Sequence, residues 1–203
     1  MNRVFLLSPA HCDGLRAQLV LSDRARFDLA RRVRTAPGAP LGEVFSFLSG
    51  LYFRGKLAYA QVFARPPAGV SGVYVITPTD GLCLADEPLN IARLRRFAGV
   101  DIHANEPRYL RPLTRDARRL ARGIGKECEV VLLGSIATAK YVDPLTGAFG
   151  ERLRFPSAFV GRGDMSRGGL LLRCVRAGLE LDYLAVSGAV RHGARPPKLV
   201  PMR

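Results

Sequence analysis

Three short apolar runs, at residues 4–7, 73–77 and 130–133, constrain the fold more than any other feature of the chain. Each run has the length of a buried strand and is followed by small or turn-forming residues. Helical patterns lie between the runs, and strands that alternate with helices pair in parallel through right-handed crossovers. A fourth short strand is expected at residues 152–155 and an edge strand within residues 179–186. The sequence therefore predicts an α/β fold, namely a three-layer α/β/α sandwich with a short, mostly parallel central sheet.

Helical spacing of apolar residues predicts the outer layers of this sandwich. Gly50 and Gly55 are expected to break or bend the second predicted helix. Thr114 is expected to cap the fourth helix and Gly123 to stop it. The predicted helices cover residues 23–34, 41–63, 91–97, 114–122 and 170–177.

The length and composition of the chain favour a single core. With 203 residues, of which 48% are hydrophobic, the chain can bury one good core but is short for two. We expect one domain at residues 1–186 and a basic Gly/Pro/Arg-rich tail at residues 187–203, either mobile or lying as a strap on the surface. No apolar run has membrane-spanning length and the first residues do not resemble a signal peptide, so a cytoplasmic protein without a membrane partner is expected.

The charge balance favours a polyanionic partner. Lys and Arg number 31 against 17 Asp and Glu, which gives a formal net charge of +14. Such an excess indicates nucleic acid, either DNA or RNA, rather than a membrane, because no basic amphipathic anchor helix stands out. The four cysteines lie far apart without a Cys-x-x-Cys pair, so neither a zinc ribbon nor a dense disulfide framework is predicted. No cofactor is expected.

Polar residues follow the predicted strands at one rim of the sheet, where ligands of α/β proteins bind. After the first strand, the Asp13 carboxylate can orient or deprotonate a water molecule and His11 can stabilise a leaving anion. Alternatively, Asp13 only forms a turn. Asp80 has the same two interpretations, and Ser135 can either contact a ligand or cap the following helix. Cys12 lies between His11 and Asp13 and is either a thiolate nucleophile or a buried thiol.

An arginine-rich, glycine-rich segment at residues 155–169 precedes the last predicted helix. Its glycines allow close backbone approach, and the guanidinium groups of Arg162 and Arg167 suit phosphate, as does a helix N-terminus. Alternatively, Asp164 or Ser166 merely caps the helix at a chain reversal. The segment contains neither a P-loop nor a dinucleotide-binding fingerprint.

Aromatic and cationic residues are interleaved near the end of the second predicted helix. Tyr52, Phe53 and Tyr59 can stack nucleobases while Arg54 and Lys56 hold phosphates. The alternative places the aromatic residues in the core of the protein and leaves the two cations solvated.

Three segments together resemble the uracil-DNA glycosylase-like superfamily: residues 6–13, 130–135 and 155–162. The resemblance spans residues 3 to 175 and implies that Asp13 activates water. It also implies that Pro156, Ser157 and Arg162 belong to a loop that enters the minor groove and expels the base. The first motif of the family is missing, and Phe155 stands where a histidine usually begins the late motif.

The resemblance implies an enzyme that cleaves or exchanges an N-glycosidic bond at a flipped nucleobase. Asp13 would position water, His11 or Arg162 would stabilise the departing charge, and Tyr52 or Phe159 would stack on the base. Two alternatives remain open from the sequence. One is a non-catalytic nucleic-acid-binding module that works beside a modification or defence enzyme, and the other is a small-nucleotide hydrolase or transferase.

Overall fold

The computed structural model describes residues 1–190 together with Gly193, Ala194, Pro196, Pro197 and Leu199. The strands are β1 (Arg3–Leu7), β2 (Ala39–Pro40), β3 (Val73–Ile76), β4 (Leu82–Cys83), β5 (Pro88–Leu89), β6 (Glu129–Leu133), β7 (Leu153–Pro156) and β8 (Tyr183–Ala185). The helices are α1 (Leu15–Leu21), α2 (Asp28–Arg32), α3 (Leu41–Ser49), α4 (Leu51–Phe63), α5 (Ile91–Ala98), α6 (Pro107–Gly123), α7 (Ala139–Phe149) and α8 (Asp164–Ala177).

Six strands form the central sheet in the order β4-β3-β1-β6-β7-β8, and β2 pairs with β5 in a separate small ribbon. The four inner strands of the large sheet are parallel, and the edge strands β4 and β8 are antiparallel to their neighbours. β1 lies in the middle, with Leu7 opposite Val75 on one side and Leu133 on the other. The prediction of a short, mostly parallel sheet is confirmed.

Alternating side chains of β1 divide the core into two halves, as the pleat of a strand requires. Phe5 and Leu7 pack with α3, α4, α5 and α8 on one face. Val4 and Leu6 pack with α6 and α7 on the other. The predicted three-layer sandwich is therefore present. No helix in the described part of the chain is long and apolar enough to cross a membrane.

Several helix boundaries differ from those predicted. The helix expected at residues 23–34 is reduced to Asp28–Arg32, and the preceding helix α1 was not predicted. Thr114 is not a cap, because α6 already begins at Pro107, where the Glu106 side chain accepts a hydrogen bond from the Arg108 amide. Proline at the first helical position, here Pro107, is a recognisable helix start.

Glycines fix the packing of α4 against α3 and α8. Gly50 separates α3 from α4 with φ 61°, as expected for a helix break. Gly55, by contrast, lies inside α4, where a Cβ atom would come within 2.7 Å of the Gly168 carbonyl oxygen in α8. A Cβ atom on Gly168 would come within 2.8 Å of the Leu51 carbonyl oxygen. The two helices therefore touch backbone to backbone.

The described part of the predicted tail contacts the arginine-rich, glycine-rich segment at residues 155–169. The Pro197 carbonyl accepts a hydrogen bond from Arg162, and the Ala194 carbonyl lies where a Cβ atom on Gly161 would project. The remaining tail residues, including His192, lie outside the described residues.

Candidate functional site

A cleft of about 560 Å³ opens at the carboxyl edge of the central sheet. It is lined by Ser8 to Asp13 after β1, by Pro78 after β3 and by Ser135 after β6. β1 has β3 as its neighbour on one side and β6 on the other, so the direction of strand order changes at β1. The cleft therefore lies at the switch point where α/β sheets bind ligands. Its volume is that of a small-molecule site.

His11 and Asp13 form a close polar pair in this cleft. The His11 Nε2 atom lies 2.6 Å from Asp13 Oδ1, and the two side chains are 81% and 48% exposed. Gly14 leaves room for the imidazole, because a Cβ atom there would lie 3.0 Å from His11 Nδ1. The structure therefore places an accessible carboxylate beside an imidazole, as a water-activating pair requires.

The other charged residues of the cleft are mainly acidic. Asp101 precedes α6, Asp164 begins α8, and Lys140 lies in the first turn of α7. With Asp13, three carboxylates face one lysine, whereas the sequence predicted a phosphate site at Arg162 and Arg167. Residues 8–13 and the segment at residues 155–169 both reach the cleft, but the second contributes Asp164 to the lining and not an arginine.

A buried lysine lies behind the cleft lining and contacts Ser8, which lines the cleft. The Lys56 side chain is fully buried, and its Nζ atom donates hydrogen bonds to the Ser8 carbonyl and, at 2.8 Å, to Ser8 Oγ. Burial lowers the pKa of Lys56 to about 7, while Asp164 raises it and Arg167 lowers it further. The interpretation of Lys56 as a solvated cation is therefore wrong.

Tyr52 also lines the cleft, and only 6% of it is exposed. Among the described residues its buried hydroxyl has no hydrogen-bond partner. Burial raises the pKa of Tyr52, and the positive charge of Arg167 partly opposes this. Tyr52 can therefore contribute part of its ring to the cleft lining, whereas its hydroxyl is buried, and its predicted role in stacking on a base stays a prediction. Phe53 and Tyr59, in contrast, are completely buried in the core.

The two arginines singled out in the sequence do not line the cleft. Arg162 donates to the Ala158 carbonyl and to Ser166 Oγ. Arg167 is 13% exposed, donates twice to the Phe159 carbonyl and pairs with Asp164 at 3.4 Å. The hydrogen bonds of these guanidinium groups connect residues 158–162 to the start of α8. A role for them in nucleic-acid binding stays a prediction.

Four further predicted residues lie outside the cleft lining. Asp80 pairs with Arg93 at 2.6 Å; although burial opposes its ionisation, hydrogen bonds from Thr79 and Arg93 lower its pKa. Ser157 donates its amide and hydroxyl hydrogens to the Asp182 carbonyl. The others, Pro156 and Phe159, are buried, the latter in edge contact with Tyr52.

Ser135 and Cys12 border the cleft, and their surroundings differ. Ser135 Oγ accepts a hydrogen bond from the Ala137 amide, so it supports the turn before α7 while it faces the cleft. Cys12 is 4% exposed, and burial raises the pKa of its thiol to about 12. The thiol is therefore protonated near neutral pH, which opposes its use as a thiolate nucleophile.

Sequence reasoning missed Ser8, and it named Lys56 only as a phosphate-binding or solvated cation, although a signal for its burial was present. On α4, Lys56 lies four residues after Tyr52 and three before Tyr59, which are both buried. A lysine on the apolar face of an amphipathic helix is buried by the same periodicity as its neighbours. Ser8 gave no such signal, because a serine after a strand most often belongs to a turn.

Comparison with known proteins does not assign a function to this cleft. The chain matches no protein-family model, no curated protein and no solved structure at a significant level. Within the described residues, no group of three or more His, Cys, Asp and Glu side chains is arranged to hold a metal ion. The cleft geometry is therefore the observation on which a proposed function has to rest.

Proposed function

We propose that the protein acts on nucleic acid and cleaves or exchanges the N-glycosidic bond of a nucleobase flipped into the cleft. The observation that carries this proposal is the accessible His11–Asp13 pair, 2.6 Å apart, at the switch point of the sheet. The resemblance to the uracil-DNA glycosylase-like superfamily assigns Asp13 to the activation of water. In the structure Asp13 lines a cleft of the size a nucleoside needs.

The acidic lining favours the nucleoside rather than its phosphates as the group inside the cleft. Departure of a base leaves positive charge on the sugar, and carboxylates stabilise such an oxocarbenium-like state. Asp13 and Asp101 are available for this purpose, whereas Asp164, also in the cleft lining, is paired with Arg167. The same carboxylates would repel a phosphate, which disfavours the small-nucleotide hydrolase or transferase.

The cations that would hold a polynucleotide backbone lie on α6. Four of its exposed arginines have no ion-pair partner within the described residues: Arg111, Arg118, Arg119 and Arg122. The helix begins four residues after His103, which lines the cleft, and its 17 residues extend about 25 Å along the molecule. A strand bound along this helix would lead its bases to the cleft, and phosphate contacts of this kind position a substrate without reading its sequence.

In the proposed reaction, Asp13 accepts a proton from a water molecule that attacks the anomeric carbon. His11, bonded to Asp13, fixes the orientation of the carboxylate. Flipping is required because a base stacked in a duplex keeps its glycosidic bond away from protein groups. In an exchange reaction, a second base would take the place of water.

The test is to incubate the protein with DNA and RNA oligonucleotides that carry modified or damaged bases and to measure abasic sites. We expect abasic product from at least one substrate, and Asp13→Asn should lower its rate by at least about a hundredfold because proton transfer to a carboxylate is lost. Asp143→Asn is the matched control, since Asp143 is exposed on α7 and does not line the cleft.

Equal rates for the parent protein and Asp13→Asn would refute the assignment of Asp13. If the parent binds the oligonucleotides but forms no abasic site on any of them, the proposed activity is wrong and the non-catalytic binding module is supported.

A further inference from the structure

Lys56 is buried without a carboxylate partner, which is costly for a charged group. Its exposed fraction is 0%, and no carboxylate of the described residues lies within ion-pair distance of its Nζ atom. Both of its hydrogen bonds go to Ser8. An isolated buried ammonium is strongly disfavoured unless the site compensates for lost hydration. A lysine retained in such a place therefore needs an explanation beyond packing.

Several groups around Lys56 partly compensate for the lost water. The Nζ atom lies 4.4 Å from the centre of the Tyr52 ring and 4.9 Å from that of Phe53, both within cation–π range. Asp164, at the start of α8, favours the charged amine, whereas Arg167 of the same helix opposes it. The amine is thus balanced between its charged and neutral forms, directly beneath the cleft.

Ser8 connects this amine to the cleft. It follows β1, its amide donates to the Leu133 carbonyl, and it is one of the residues that line the cleft, with 6% of its surface exposed. Ser8 Oγ accepts a hydrogen bond from Lys56 at 2.8 Å. An ammonium group has no lone pair, so the Ser8 hydroxyl hydrogen cannot point back to it. No other protein acceptor for this hydrogen exists among the described residues, which leaves it available to a ligand.

We propose that Ser8 is a catalytic residue that protonates the departing nucleobase, and that Lys56 is the positioning residue that supplies it with a proton. This inference rests on the proposed function and names the acid of that reaction. It also supplies a proton donor where the chain lacks the histidine of the family's late motif, because Phe155 at that position is buried among residues of α6 and α7 and does not line the cleft.

The proposed step balances as a hydrolysis. The bond between the anomeric carbon and the base nitrogen breaks, and its electron pair leaves with the base. Ser8 gives its hydroxyl proton to the base and takes one from the Lys56 ammonium. The attacking water forms a bond to the anomeric carbon and gives its proton to Asp13. Proton exchange with solvent then restores Lys56 and Asp13, so no oxidant, reductant or further reactant is needed.

The acid–base properties of the site suit this role. A general acid works best when its pKa lies near the working pH, and burial lowers that of Lys56 to about 7. The acid must be protonated, so its contribution is present below about pH 7 and lost as the pH rises through that value. The informative quantity is the difference between the parent and Lys56→Met at each pH, because it isolates the contribution of Lys56.

The first test compares Ser8→Ala with the parent on whichever oligonucleotide yields abasic sites. We expect kcat to fall by about a hundredfold while KM changes less than about threefold, because a general acid acts in the transition state. Lys56→Met should remove the fall in rate above about pH 7 that distinguishes the parent. Ser46→Ala on α3, which does not line the cleft, is the control. Unchanged kcat in Ser8→Ala would overturn the proposal.

A second test does not depend on turnover. Free uracil, hypoxanthine and guanine are titrated into the parent and into Ser8→Ala by calorimetry. We expect at least one base to bind the parent, and the same base to bind Ser8→Ala at least about tenfold more weakly. Binding of none of these bases, or equal affinity for both proteins, would overturn the proposal even if Lys56→Met did not fold.

The two proposals can fail separately. If abasic sites form and depend on Asp13 but not on Ser8, only the acid assignment is wrong. If no abasic site forms yet a free base binds through Ser8, the base site stands and the proposed cleavage does not.

Discussion

Replacement of Lys56 by methionine should make the stability of the protein depend less on pH. Methionine keeps an unbranched side chain of similar length among Tyr52 and Phe53 but carries no proton. In the folded protein the pKa of Lys56 falls from 10.5 to about 7 because the amine is fully buried. In the unfolded chain the same amine is hydrated and keeps its ordinary pKa.

The sign of the effect follows from proton binding. Between about pH 7 and pH 10.5 the unfolded chain holds a proton at Lys56 that the folded protein has released, so the parent gains stability as the pH rises. Each pKa unit corresponds to about 1.4 kcal/mol, which gives about 3 kcal/mol between pH 7 and pH 9 and at most about 5 kcal/mol over the whole shift. Below the folded pKa both states hold the proton, so the difference between parent and variant becomes constant.

The assay is urea unfolding of parent and Lys56→Met at intervals from pH 6 to pH 9. The free energy of unfolding of the variant is subtracted from that of the parent at each pH, which cancels the titration of every other group. The exposed Lys126 gives a matched control, because Lys126→Met also removes a lysine. A difference that stays within about 0.5 kcal/mol across the range would show that Lys56 keeps the same proton in both states, and the reasoning would be refuted.

Two other predictions concern helix packing and nucleic-acid binding. Gly168→Ala should destabilise the protein by about 1 to 3 kcal/mol, because its Cβ atom would collide with the α4 backbone. Gly169→Ala is the control and should have little effect, since the nearest atom to a Cβ atom there lies at 3.6 Å. Equal melting temperatures for the two variants would contradict the close helix contact. Replacing Arg118, Arg119 and Arg122 by alanine should reduce the steepness of the salt dependence of oligonucleotide binding, the slope of log binding constant against log salt concentration, by about 2 to 3 units. An unchanged slope in a filter-binding titration would exclude α6 as the contact to the nucleic-acid backbone.

The sheet could be predicted from the sequence because its signals are local. The apolar runs that became β1, β3 and β6 are short, continuous and flanked by turn residues, and such runs are typical of parallel strands buried on both faces. The convergence of Asp13 and Ser135 on one cleft also followed, since the carboxyl ends of parallel strands share one edge.

The partners of the long cationic side chains could not be predicted in the same way. Arg167 turns back to the Phe159 carbonyl, and Lys56 reaches Ser8 across 48 residues of chain. Such contacts depend on how helices cross, which spacing along the chain does not encode. The acidic character of the cleft was missed for a related reason, because Asp101 and Asp164 are separated widely in sequence and meet only in the fold.

The contact of α4 with α8 at Gly55 and Gly168 has a consequence for how such a protein can diversify. A helix crossing at which backbone touches backbone leaves no room for a side chain at Gly55 or Gly168, so the position of α4, which carries Lys56, is fixed against α8. Changes of ligand preference are more readily accommodated between α5 and α6, where Asp101, Ile102 and His103 line the cleft on a connecting segment and are not buried. Evolution on this scaffold would alter which molecule enters while leaving the buried proton donor undisturbed.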